Sequence, residues 1–158
     1  MAIIPIFIPH AGCPHQCVFC NQKTISGQQT ASAAAVQQQI ERYLQWIRPG
    51  LSNEAAFYGG SFTGLPAALQ TELFQPVDEL LAKGIIGSVR LSTRPDYIDA
   101  ARLELLKGHG VKIVELGVQS LDDTVLAAAG RGHQAAEVGR AVALLKQYGF
   151  EAGLQLMV

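Results

Sequence analysis

The chain has 158 residues, a length that supports one sizeable core and not two. Only 16% of its residues are charged, against about 25% in an average soluble domain, while 49% are hydrophobic and the formal net charge is −1. These values exclude a disordered chain and a free-standing nucleic-acid binder that works by phosphate neutralisation, and no apolar stretch approaches the roughly 20 residues of a membrane span.

Taken in chain order, Ile3 to Ile8 reads as a strand. Pro5 interrupts the apolar run, and the positive flank of a secretory signal is lacking, so a cytoplasmic chain is expected. The strand leads directly into Cys13, Cys17 and Cys20. A helix is expected from Ser32 to Trp46, with Val36, Ile40, Tyr43 and Leu44 at helical spacing. Ala55 to Tyr58 is a second strand ending in Gly59-Gly60-Ser61. Pro66 suits the first turn of the next helix, whose apolar face is Leu69, Leu73, Val77 and Leu80 and which Pro76 is expected to kink. Ile86 to Thr93 is a third strand, followed by Arg94-Pro95-Asp96 and a helix carrying Leu103 and Leu106. Val111 to Val118 is a fourth strand. Asp122 caps a short helix through Leu126, a longer helix runs from Ala135 to Tyr148, and Gly149 stops it. Ala152 to Val158 is a fifth strand.

Strands alternating with helices make repeated βαβ units and hence a parallel α/β sheet. A doubly wound sheet buries both faces and reads as near-continuous apolar runs. Here Arg90, Ser92 and Arg94 share one face of the third strand, opposite Val89, Leu91 and Thr93. Glu115, Gly117 and Gln119 share one face of the fourth, and Gln155 opposes Leu154 and Leu156 in the fifth. This polar stripe suits the concave side of a barrel-like sheet that lines a wet cavity. Active sites of β/α barrels lie at the C-terminal strand ends. The cysteine loop, Gly59-Gly60-Ser61, Arg94 and Gln119-Ser120 each follow a strand and converge on that rim.

The three cysteines are the only ones in the chain and read C-x-x-x-C-x-x-C. An odd count in one cluster is not a disulfide framework. The spacing leaves three chemistries open. One is an iron–sulfur cluster held by three thiolates with one iron free, since clusters that only pass electrons generally use four. The others are a zinc site completed by His10 or His15, and a redox thiol loop.

The loop, with aromatic Phe19 before its third cysteine, resembles the signature of the radical S-adenosylmethionine superfamily. Phe57-Tyr58-Gly59-Gly60-Ser61-Phe62-Thr63, Ser92-Thr93-Arg94-Pro95-Asp96 and Glu115-Leu116-Gly117-Val118-Gln119-Ser120 are similar to the branch containing the Elongator catalytic subunit. Gly130-Arg131-Gly132-His133 and the Leu-Gly-Val-Gln-Ser stretch are also similar to oxygen-independent coproporphyrinogen oxidase. The resemblance implies the first five β/α units of a partial, TIM-like (β/α) barrel, with residues 1–158 forming a radical SAM core domain that stops short of the family's last units.

It also implies that Cys13, Cys17 and Cys20 hold a 4Fe–4S cluster whose open iron takes the amine and carboxylate of S-adenosylmethionine. Gly59 and Gly60 match the glycine turn beside the methionyl amine, although Ser61 stands where the family usually has an acid. Ser92, Arg94, Gln119 and Arg131 match positions near the nucleoside or carboxylate, and Phe19 borders the adenine. The cofactors carry the hard chemistry and the protein positions them. The implied partners are a reductant such as flavodoxin or ferredoxin and a substrate that is tRNA or a small molecule such as a tetrapyrrole. His10 and His15 are expected to shape the loop rather than act as ligands.

Overall fold

The structure is a computed structural model that describes residues 1–8, 12–20 and 31–157. Its strands are β1 (Ile3–Phe7), β2 (Glu54–Tyr58), β3 (Ser88–Thr93), β4 (Val111–Gln119) and β5 (Glu151–Leu156). The helices are α1 (Ala33–Leu44), α2 (Ala67–Ala82), α3 (Ala100–Gly108), α4 (Asp123–Ala128) and α5 (Ala135–Gln147), with short 3-10 turns at Phe62–Gly64 and Pro95–Tyr97. All strand pairs are parallel and the spatial order is β1-β2-β3-β4-β5. A sheet that never reverses its order has no topological switch point, which separates it from the doubly wound class. The winding is that of a β/α barrel segment, as the sequence indicates.

The apolar face explains the packing. Ile4, Ile6 and Ile8, Ala55 and Phe57, Val89 and Leu91, and Val114, Leu116 and Val118 alternate along their strands and are all buried. Against them lie Val36 and Ile40 of α1, Leu73, Phe74, Val77 and Leu80 of α2, Leu103 and Leu106 of α3, and Val138, Ala141 and Leu145 of α5. Phe57, Phe62 and Phe74 form an aromatic knot with ring centroids 4.8 to 5.4 Å apart. His109 stacks on Phe74 at 4.4 Å and pairs its Nδ1 with Asp78 at 2.9 Å.

Element ends follow local chemistry. Ser32 is the N-cap of α1 and its hydroxyl accepts from Ala35 N, so the helix begins one residue later than expected. Its C-terminal end also comes earlier, at Leu44. Pro66 sits just outside α2, at the N-cap position, and α2 runs unbroken past Pro76. Ile86 is buried but lies before β3 begins, where Gly87 N donates to Asn53 O. Asp122 caps α4 by accepting from Thr124 N and Val125 N. β5 runs from Glu151 to Leu156, and Val158, expected in that strand, lies outside the described residues.

The two sheet edges differ. On β1 the Gln39 side chain acts as a surrogate backbone: its Oε1 accepts from Phe7 N at 2.7 Å and its Nε2 donates to Phe7 O at 3.1 Å. On β5, Leu154 and Leu156, and Met157 just after it, are about half exposed. Among the described residues no helix is long and apolar enough to cross a membrane.

Candidate functional site

The polar face of the sheet and the loops at its C-terminal rim enclose a cavity of about 900 Å³. Every residue singled out in the sequence for cluster or cofactor contact and described in the structure lines it: Cys13, Cys17, Cys20, Phe19, Gly59, Gly60, Ser61, Ser92, Arg94, Gln119 and Arg131. Ser120 does not line it; its hydroxyl accepts from Asp122 N. His10 lies outside the described residues.

The cysteine loop is tied down by the segment after α4. Val18 N donates to Ala129 O at 3.1 Å, the Cys17 thiol reaches Gly130 O at 3.7 Å, and Arg131 Nη1 donates to Cys17 Sγ at 3.7 Å. The His15 ring lies directly against Gly132, where any side chain would collide with it. Arg131 is therefore buried and structural as well as cationic, and its Nη2 bonds Gly117 O. Gly117 makes this possible, since a Cβ there would sit 2.9 Å from Arg131 Nη2. Gln119 holds a left-handed φ of 70° next to a register shift between β4 and β5, and its side chain lines the cavity.

Arg94 forks onto Asp96 through Nε and Nη2 at 2.9 and 3.0 Å, leaving Nη1 at 4.0 Å from Cys13 Sγ. Burial by itself would lower the Arg94 guanidinium, but the bonds and charge of Asp96 carry it above its ordinary value. At the end of β2, Gly59 has φ of 106°, and a Cβ there would fall on the Ile8 carbonyl and within 2.7 Å of the Phe7 ring. Thr93 is buried in alternation with Val89 and Leu91, as expected, and its hydroxyl bonds Ser61 at 3.0 Å and Thr63 at 2.6 Å at the cavity's rim. These hydroxyls satisfy one another where β2 and β3 end.

Tyr58 and Glu115 also line the cavity, although the sequence does not single them out as site residues. A signal for Glu115 exists, because it lies on the polar stripe of β4. Beneath them, Arg90 joins Glu54 and Glu115, with Nη2 to Glu54 Oε2 at 2.6 Å and Nη1 to Glu115 Oε1 at 3.0 Å. Burial, and after it the Glu115 charge, push the Tyr58 phenol above its ordinary value.

The donor set fits an iron–sulfur group. Three thiols face one cavity, and two of them lie beside guanidinium groups. Among the described residues no three His, Cys, Asp or Glu side chains come close enough to share a single metal ion. A mononuclear zinc site needs all its ligands about 2.0–2.3 Å from one centre, whereas a cluster spreads its thiolates over several irons.

His133 is buried, and both ring nitrogens lack partners among the described residues. Burial first, then the charges of Arg131 and Arg94, lower its pKa. The unfolded chain therefore takes up this proton first. The stability this provides is complete above about pH 6.5 and is lost as pH falls through the lowered folded value. Thermal midpoints measured from pH 8 to pH 5 will fall more steeply for the wild type than for His133→Gln. Equal slopes would refute the assignment.

Comparison with known proteins accords with this geometry. The chain is 39% identical over 61 residues to a tRNA uridine(34) acetyltransferase of Dehalococcoides mccartyi, covering 39% of this chain and 13% of that protein. It is 28% identical over 148 residues to the heme chaperone HemW of Bacillus subtilis, covering 88% of this chain and 38% of that one. Among solved structures, Methanocaldococcus infernus Elp3 superposes with a TM-score of 0.72 at 20% identity, over 99% of this chain and 37% of the other. Coproporphyrinogen III oxidase (HemN) of Escherichia coli gives 0.70 at 20% identity, over 98% and 36%. The chain thus spans well under half the length of these relatives. The profile of the Radical SAM superfamily matches residues 7–158, and with the fold and the cysteine loop in agreement, the chain belongs to that superfamily.

Proposed function

We propose that this chain is the cofactor-binding core of a radical S-adenosylmethionine enzyme. The observation that carries the reading is the gathering of Cys13, Cys17, Cys20, Gly59, Gly60, Gln119 and Arg131, from three separate strand ends and the segment after α4, around one cavity. With a 4Fe–4S cluster bound through the three cysteines, one-electron reduction would cleave S-adenosylmethionine to methionine and a 5′-deoxyadenosyl radical that takes hydrogen from a substrate.

The rest is the work of this chain's residues. Arg131 holds Cys17 in place and offers a positive charge beside it. Gly59 and Gly60 keep the backbone bare at the end of β2, so a ligand approaches the peptide groups directly. Ser92 and Gln119 present hydrogen-bonding groups to a nucleoside, and Phe19, partly exposed, offers a flat apolar face to a base. For the substrate the reading is a tRNA nucleoside, supported by the curated relatives named tRNA uridine(34) acetyltransferase. A tetrapyrrole is the second reading, supported by HemW and HemN. A small electron-transfer protein, flavodoxin or ferredoxin in type, is the proposed reductant.

The test is anaerobic reconstitution with iron and sulfide. The expected result is about four irons per chain, visible iron–sulfur absorbance, and formation of 5′-deoxyadenosine when S-adenosylmethionine and a strong reductant are supplied. A colourless protein holding one zinc would overturn the reading.

A further inference from the structure

The cysteine loop is held at two places. At one, Cys17 and Val18 are tied to the segment after α4. At the other, Gly12 lays its backbone directly on the 3-10 turn at Phe62–Gly64. A Cβ on Gly12 would stand 2.9 Å from Gly64 C and Leu65 N, and one on Gly64 would run into the Gly12 carbonyl. With no side chain between the two backbones to absorb a shift, a displacement of the turn reaches Gly12 and hence its neighbour Cys13.

The turn is fixed from outside. Its own bonds run from Gly64 N to Ser61 O and from Leu65 N to Phe62 O. The carbonyls of Thr63 and Leu65 are met by two helices. Gln70 of α2, only 2% exposed, donates through Nε2 to Leu65 O at 2.8 Å and more weakly to Thr63 O at 3.5 Å. Arg102 of α3 donates Nε to Thr63 O at 2.8 Å, while its Nη1 is held by Asp99.

The Gln70 amide is there for its donor. Its Oε1 has no partner among the described residues, and an unbonded buried oxygen costs stability. A methionine would fill the same space without that cost. Turning the amide over would set its oxygen against two carbonyls, so the donor orientation is enforced.

We propose that Gln70 is a positioning residue for Cys13. It holds the Phe62–Gly64 turn, the turn holds Gly12 through Gly64, and Gly12 sets where the Cys13 thiol stands relative to Cys17 and Cys20. Cys17 is set independently, from the α4 side. The inference rests on the three-cysteine cluster reading above.

Selective labelling tests it without turnover. The anaerobically reconstituted chain is treated briefly with iodoacetamide, and labelling at each cysteine is read by peptide mass spectrometry. Iron shields a bound thiolate from alkylation, so each rate reports how firmly that cysteine is ligated. In Gln70→Met, Cys13 is expected to label roughly 3–10-fold faster than in the wild type, the shift from one lost net hydrogen bond, with Cys17 and Cys20 within about twofold. Should Gln70→Met fail to fold, Gly64→Ala must show the same selectivity. It leaves the Gln70 bonds in place and drives a methyl into the Gly12 carbonyl, at a position whose φ is not in the left-handed region. Equal acceleration at all three cysteines, which general loosening would give, or no change at Cys13, overturns the inference and leaves the cofactor reading intact. Wild-type thiols that label as fast after reconstitution as in urea overturn both.

Discussion

Replacing Cys13, Cys17 and Cys20 together by alanine is expected to leave the reconstituted protein without iron and without visible absorbance, where the wild type takes up about four irons. The chain has no other cysteine, and soft iron–sulfur centres select thiolate over the remaining oxygen and nitrogen donors. The single variants will differ from one another in stability. Cys17 is buried and its sulfur accepts from Arg131, so Cys17→Ala leaves a buried guanidinium N–H without its acceptor. Cys13 and Cys20 are more exposed, and their alanine variants will melt close to the wild type before metal is added. Iron and sulfide assays with a melting curve read both effects. A triple variant that still held iron would remove the cysteine loop from every functional role proposed for it.

The second large effect is structural. Phe74→Ala should lose about 3–5 kcal/mol, the usual cost of a buried aromatic truncation. That is a substantial part of the roughly 5–15 kcal/mol that holds an ordinary domain together. Phe74 is fully buried against Phe57 and Phe62 on one side and the His109 ring on the other, so its removal opens a void between β2 and α2 that rigid neighbours do not refill. Chemical denaturation gives the number directly. A loss below about 1 kcal/mol would mean that the knot collapses into the gap, contrary to the packing described.

Much of the architecture is legible in the sequence because parallel β/α units write a simple pattern. Ile4, Ile6 and Ile8 alternate out of step with Pro5 and Phe7, and Arg90 and Ser92 alternate with Val89 and Leu91, so both the strands and their polar face can be read. The gathering of the chosen residues in one cavity follows from that, since parallel strands bring all their C-terminal loops to one rim. What escapes depends on contacts distant in sequence. Arg131 looks like any loop arginine until the bare backbone at Gly117 admits it beneath the cysteine loop. Alternation places Thr93 in phase with Val89 and Leu91, but its bonds to the hydroxyls of Ser61 and Thr63, about 30 residues away, are not visible in that pattern. The sharing of Arg90 between Glu54 and Glu115 is a three-way division of hydrogen bonds that no one-dimensional pattern expresses.

The amide of Gln39 has a consequence for how copies of this chain meet. It occupies the outward N–H and C=O of Phe7, and two residues earlier Pro5 has no N–H to offer on that side. A strand arriving at the β1 border thus finds the Phe7 amide and carbonyl taken and the Pro5 amide absent. Open-ended pairing through an unprotected sheet border is the arrangement that propagates into fibres, because it never closes. Here it is hindered at the C-terminal end of β1. One glutamine side chain on a helix thereby makes β1 a poorer template for an incoming strand.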